Sequence, residues 1–474
     1  MGCLLAAGVA SLMRTIASAL GLCLVACGGE AVAPAPDPPV ISNVASVPNA
    51  TNALSASINL QVTGADSVTV RYRLTDSAAS TEVATPMQPV TGESATRLIL
   101  GLLPERRYTA SVVAVGPGGT VTGSPVEFTT GALPADIPLY TAVGTDPTPG
   151  FIVIAAGSYG LVLDNSGRVV WYRHFPDGIG LNFAALGNGR YATQPHTPDP
   201  ADLEPWAEVD PAGEVTGTFG CANGFTSRFH DAISDNAGGH WLMCDDVRTM
   251  DLSAIGGQAA ARVTGTVIQH VDATGAALFQ WNAFDHFALT DLPAADRAGA
   301  TVNFTHGNAI ALDVDGNLLA SFRSLSEITK ISVATGDVLW RLGGLANQFT
   351  FAGTSSPPFV GQHGLRVTSS GVLLLDNRGE PGASRAERYR LDEGTRTATL
   401  VESFRSQPDA VGLLGGSVQQ LDNGHVLVSL GNGQKVEEYD AAGNVVWRLS
   451  GGTGYIFRAQ RIASLYAPGV GTPR

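Results

Sequence analysis

Charge is in short supply in this 474-residue chain: only 15% of its residues are Asp, Glu, Lys or Arg, against 44% that are hydrophobic. A chain so poor in charge and so rich in apolar side chains can build sizeable cores, which argues against intrinsic disorder. Its length suits two or more domains. Positive charge is scarcer still, with 28 Lys and Arg facing 42 Asp and Glu for a net charge of −14. So acidic a surface speaks against nucleic acid as a partner, although it leaves room for a locally cationic pocket. Cysteine is rare, and only Cys221 and Cys244 lie beyond position 27. No Cys-x-x-Cys spacing occurs, so a thiolate metal site of that pattern is absent. The apolar stretch from Ile16 to Ala26 is too short to span a membrane comfortably as a helix.

That stretch follows Arg14 and ends in Leu24-Val25-Ala26-Cys27, which resembles a bacterial lipobox. Residues 1–27 are therefore expected to be a lipoprotein signal segment, with Cys27 carrying the lipid, and no part of the folded domains. Translation from Met13 would give a signal of more usual form. Residues 28–37, with Gly28-Gly29 and a Pro-rich run, read as a flexible tether. The expected location is exported and membrane-attached through the lipid, facing the periplasm or the cell surface. Gly28 gives no inner-membrane retention signal, which points to the outer membrane. In an exported protein Cys221 and Cys244 are expected to form a disulfide, the alternative being two buried thiols.

Gly (57) and Pro (27) are abundant and separate many short Val, Leu and Ile runs, the mark of turn-rich β structure. An all-β chain of two units is expected. In residues 38–132, Ser67 to Leu74 alternates apolar and polar side chains, and a second strand leads out of Tyr108. This pattern resembles a fibronectin type III sandwich with Tyr108 at its tyrosine corner. In residues 138–468 a strand repeatedly ends in a tight Gly turn: Asp164 to Gly167, Asp210 to Gly213, Asp272 to Gly275, Thr335-Gly336, Asp392 to Gly394 and Asp440 to Gly443. Trp171, Trp281, Trp340 and Trp447 follow four of these. A second turn family, such as Asp315-Gly316-Asn317 and Asp422-Asn423-Gly424, alternates with the first. Two hairpin turns per repeat imply four-stranded antiparallel sheets, and six of them a six-bladed β-propeller.

In such a ring, polar residues near the ends of inner strands converge on the central channel. Of nine histidines, His240, His270 and His425 look like half-exposed strand residues, while His174, His196 and His286 fall in loops; His196 could still reach the channel. His230, His306 and His363 differ: they precede the next turn glycine by eight, ten and eight residues, so they hold one structural position in three successive repeats. Arg323 ends the strand opposite the one that starts near His306, and its planar fork suits an anion clamp. A neutral imidazole is a competent nucleophile at pH 7. The same triplet could alternatively hold zinc.

The run from Thr305 to Gly344, with His306-Gly307-Asn308, Ser321-Phe322-Arg323 and Thr335 to Trp340, resembles the arylsulfate sulfotransferases, as does Gln362-His363-Gly364 through Asp376-Asn377. The resemblance implies that His363 takes the sulfuryl group covalently and that His230, His306, Asn308 and Arg323 bind sulfate. It further implies a phenolic sulfate donor, a phenolic acceptor, two half reactions, no nucleotide sulfate and neither cofactor nor metal. A homodimer is left open. Two other classes share parts of the pattern. One is a non-catalytic lipid-anchored propeller for binding or adhesion, in which the three histidines would not converge. The other is a quinone-dependent dehydrogenase, whose blade motif Thr335 to Trp340 also resembles, although such enzymes usually have more than six blades.

The lipobox generates a direct test. Cys27→Ser is expected to release soluble protein into the periplasm, read by fractionation and by acyl-chain mass spectrometry. A wild-type protein that is already soluble and unacylated would contradict it.

Overall fold

The computed structural model describes residues 35–76, 81–195, 205–353, 358–452 and 454–469. Cys27 with its lipobox, and His196, lie outside them. The described residues are almost entirely strands, joined by turns and three short 3₁₀ helices.

The first nine strands form two sheets. One joins Val40–Pro48, Ala56–Thr63 and Ser94–Ile99; the other is built around Ser67–Leu74 paired with Arg107–Gly116. The alternation seen in the sequence buries Val68 and Val70 with Ile58 and Leu60 of the other sheet and Val112 of the neighbouring strand. The Tyr108 hydroxyl accepts a hydrogen bond from the Leu103 backbone N–H at 2.8 Å, the geometry of a tyrosine corner. This unit is docked on the rest of the chain. Leu54 and Leu100 enter the neighbouring cores, and Leu100 N–H donates to the Tyr466 hydroxyl at 3.1 Å.

Beyond it, six sheets of four or five strands follow one another, over residues 151–174, 183–219, 226–282, 307–343, 363–405 and 417–451. Within each, the chain runs from an inner strand outward, which is the pattern that the two alternating turn families require. The outer turns owe their stability to aspartate: the Asp440 carboxylate accepts from the backbone N–H groups of Ala442 and Asn444, and Asp164 and Asp272 make the same bonds. The inner strands Thr226–Ser234, Gly307–Leu312, His363–Thr368 and Ser417–Gln420 pack side by side around the axis.

The ring is closed from both ends of the chain. The C-terminal strand Ala459–Ile462 becomes the innermost strand of the first sheet by pairing with Phe151–Ala156. Tyr140–Gly144 adds to the outer edge of the last sheet by pairing with Val445–Gly451. The repeated tryptophans are buried, and two bind the turn of the following sheet: Trp171 Nε1 donates to Pro211 O and Trp447 Nε1 to Asn165 O, both at 2.9 Å. The repeat of Trp after Gly turns is thus cement between neighbouring sheets. Cys221 and Cys244 are joined by a disulfide, as expected.

Trp447 ties the last sheet to the first. Trp447→Phe should lower stability by about 1 kcal/mol through the lost hydrogen bond, and Trp447→Ala by about 3–5 kcal/mol through the cavity as well. Urea unfolding followed by fluorescence would measure both.

Candidate active site

Three adjacent inner strands bring the predicted histidines together. In each the ladder slips beside the histidine: between Ser227 and Ala232, between Gly307 and Ala309, and between His363 and Arg366. Such bulges re-aim side chains, here toward the axis. His306 has φ 49°, a left-handed conformation that a residue with a Cβ adopts only under constraint. The glycine after His363 is required by space: a Cβ on Gly364 would sit 2.7 Å from the Ser417 backbone of the next sheet. The two His-Gly pairs of the sequence are therefore strand starts, and at Gly364 only glycine lets the inner strands close up.

The rings of His230 and His306 meet edge to face with centroids 4.9 Å apart. Phe457 stands edge-on to both His230, at 5.9 Å, and His363, at 6.5 Å. Arg323 follows the strand Leu318–Phe322, and its backbone N–H donates to His306 O at 3.0 Å, which holds it beside the histidines. Its guanidinium makes no hydrogen bond or ion pair among the described residues, and its Nε is buried without a partner. An unpaired, partly desolvated guanidinium is a strong anion site. Asn308 is buried and donates to Gln362 O at 2.6 Å, so it braces the residue before His363. A cavity of about 40 Å³ lies against His230, His306, Arg228 and Asn303. A larger one of about 350 Å³, lined by Glu208, His240 and the turn at Asp272, is away from all three histidines.

Hydrogen bonds set the two best-defined rings in opposite tautomers. Nδ1 of His363 faces Asn377 Oδ1 at 2.8 Å, so it carries the proton and Nε2 keeps its lone pair. Nδ1 of His306 faces Asn303 Nδ2 at 2.6 Å, so it accepts and its proton sits on Nε2. One ring thus offers a nucleophilic nitrogen and the other an N–H donor. Burial holds all three imidazoles below their ordinary pKa. His363 falls to about 4, with Arg323 and Arg378 adding to burial and the Asn377 bond and Gly361 carbonyl opposing it. His306 falls to about 3 through burial, Arg323, His363 and Arg228, and His230 lies well below the usual range. Beneath His230, burial would raise the Asp231 pKa, but Arg458 and Arg366 outweigh it and keep it a carboxylate. Arg458 binds Asp231 Oδ1 at 2.6 Å and His230 O at 2.9 Å. Two guanidiniums on one carboxylate leave net positive charge at the axis of an acidic protein. Among the described residues no three His, Cys, Asp or Glu are grouped as a metal site.

Residues 215–452, half of the chain, match the family model for arylsulfotransferase (ASST). The chain belongs to the arylsulfotransferase family. The match spans all three histidines, Asn308, Arg323 and Asn377. No curated protein matches the chain. Solved structures similar to it include a protein of unknown function from Bacteroides caccae, at 12% identity over 66% of this chain and 98% of that one with a TM-score of 0.42. A streptogramin B lyase follows at 12% over 65% and 87% with a TM-score of 0.35. The virginiamycin B lyase of Staphylococcus aureus shows 9% over 65% and 87% with a TM-score of 0.33.

Sequence reasoning missed several residues of this candidate site in the arylsulfotransferase: Asn377, Arg228, Arg378, Phe457, Arg458 and Asp231. Phe457 and Arg458 sit on the closing segment, whose place at the axis no local pattern signals. Asn377 lies within a motif already singled out, but only the fold aims it at His363. The reading of His240 and His425 as half-exposed needs correction. They are buried, and like His270 each faces a carboxylate: Glu208 at 3.2 Å, Glu438 at 2.8 Å and, for His270, Asp235 at 2.9 Å.

The depressed imidazoles link the site to stability. Unfolded histidines take up protons near ~6.5, whereas folded His363 and His306 do so only at about 4 and about 3. The unfolded state therefore binds more protons in between, and stability should fall as pH drops from neutral toward about 4. Urea midpoints across that range should fall less steeply in His306→Gln than in the wild type.

Proposed function

We propose that this sulfotransferase moves a sulfuryl group from a phenolic sulfate to a second phenol through a sulfohistidine on His363, with no nucleotide sulfate and no cofactor. The observation that carries the reading is the 2.8 Å hydrogen bond between His363 Nδ1 and Asn377 Oδ1, which leaves the Nε2 lone pair free in a buried, neutral ring near an arginine that is unpaired among the described residues. In the first half reaction Nε2 attacks sulfur in line, the S–N bond forms as the bond from sulfur to the phenolic oxygen breaks, and the donor leaves as a phenolate. In the second, the acceptor phenolate attacks sulfur and the N–S bond breaks, returning neutral His363. The proton lost by the acceptor balances the one gained by the departing phenol. Sulfuryl transfer resembles phosphoryl transfer in needing alignment and charge stabilisation on the equatorial oxygens. Arg323 and the Nε2–H of His306 supply the charge and the hydrogen bond, with His230 beside them. Phe229, Phe457 and Tyr455 make an aromatic wall next to the histidines that suits an aryl ring. The enzyme acts as an exported protein held to a membrane through Cys27, with residues 38–132 as a fibronectin type III-like spacer before a 138–468 catalytic unit.

The test is a chromogenic aryl sulfate with a second phenol and no nucleotide. Donor alone should leave an acid-labile sulfate on the protein. His363→Ala should abolish both adduct and turnover. Arg323→Ala and His306→Ala should keep the nucleophile but slow the reaction on the order of 10²-fold or more. Full transfer by His363→Ala would defeat the covalent assignment.

A further inference from the structure

The attacking nitrogen of His363 is available only if the ring carries its proton on the other one. Nothing in an imidazole enforces that choice; the partner of Nδ1 does. Here the side-chain partner is Asn377, on the strand Gly371–Glu380 that pairs with the strand carrying His363, and the Gly361 carbonyl is a second accepting group near the ring. Both side chains are buried, so neither can exchange its partner for water.

A carboxamide can present either its oxygen or its nitrogen, and a flipped Asn377 would donate to Nδ1 and move the proton to Nε2. The surroundings forbid the flip. Asn377 Nδ2 donates to two backbone carbonyls, Gly412 O at 2.5 Å and Gly415 O at 2.9 Å. Turning the amide over would set its oxygen against both, leaving that oxygen and Gly415 O without a donor in a dry site and Gly412 O with only the Ser384 hydroxyl at 3.3 Å. The backbone of Asn377 is held as well. Ser384 Oγ donates to its carbonyl at 2.8 Å and accepts from Gly412 N–H at 2.8 Å. Residues 412–415 thus act on the nucleophile through one side chain.

We infer that Asn377 is a positioning residue for sulfuryl transfer: it fixes His363 as the Nδ1–H tautomer, and the 412–415 carbonyls fix Asn377. This rests on His363 being the nucleophile. The charged and titratable groups around the ring are His230, His306, Arg323 and Arg378, none of which contacts Nδ1.

The experiment is long-range nitrogen–proton NMR of the full-length protein labelled at its histidines, with His363 assigned by its loss in His363→Ala. The wild-type ring should show a protonated Nδ1 and an unprotonated Nε2 at pH 7. Asn377→Ala should lose that preference and lower kcat by about 10- to 100-fold with donor KM little changed. Asn377→Asp keeps an oxygen on Nδ1 and adds charge, so it should retain the tautomer and move the acid limb of the pH–rate profile upward. A wild-type His363 protonated on Nε2 overturns the inference without any variant, as does an Asn377→Ala protein that keeps both tautomer and kcat. Failure of the underlying reading looks different: the tautomer would stand, but His363→Ala would still transfer sulfate.

Discussion

The pairing of Ala459–Ile462 with Phe151–Ala156 is the contact on which the remainder hangs. It joins segments about 300 residues apart, and closing so long a loop carries an entropic penalty that grows only with the logarithm of its length. Once made, it turns a row of sheets into a ring. The strand is also what delivers chemistry. The residues just before it, Phe457 and Arg458, enter the axis, where Arg458 is buried against Asp231 on the third sheet. Breaking closure would therefore expose sheet edges and remove one wall of the site together.

The electrostatics of that axis run against those of the surface. A protein with net charge −14 keeps Arg323, unpaired among the described residues, and a two-arginine, one-carboxylate cluster at its centre. The three histidines do not add to this charge, because burial and neighbouring cations keep them neutral. That division is chemically sensible. Fixed guanidiniums attract a sulfate anion, while a neutral imidazole retains the lone pair that a cationic one would lose. Hydrogen-bond partners then separate the rings by role, His363 exposing a lone pair and His306 an N–H.

The backbone breaks local rules where the site needs it to. The bulges beside the three histidines, the left-handed φ of His306 and the close approach at Gly364 all fall on the inner strands or just before them. Regular ladders elsewhere in the same sheets fix these exceptions in place.

The sequence by itself determined the β architecture, because Asp-x-x-Gly turns, alternating runs and the repeated Trp are local signals whose chemistry needs only a few neighbours. It also picked out the three histidines that the ring brings together, since a residue at one place in several repeats must face one axis in any ring. Tyr108 and the Cys221–Cys244 pair were legible for the same reason, being read from short patterns and redox context. What tertiary structure alone decided is partnership. Asn377 becomes the partner of His363 through strand pairing, and its orientation depends on carbonyls from residues 412–415. Arg458 meets Asp231 across 227 positions. His240 and His425 looked like ordinary strand residues until the fold buried them against Glu208 and Glu438. Tautomer, protonation and charge pairing are set by groups within a few ångströms in space, and the ring brings those groups from every part of the chain.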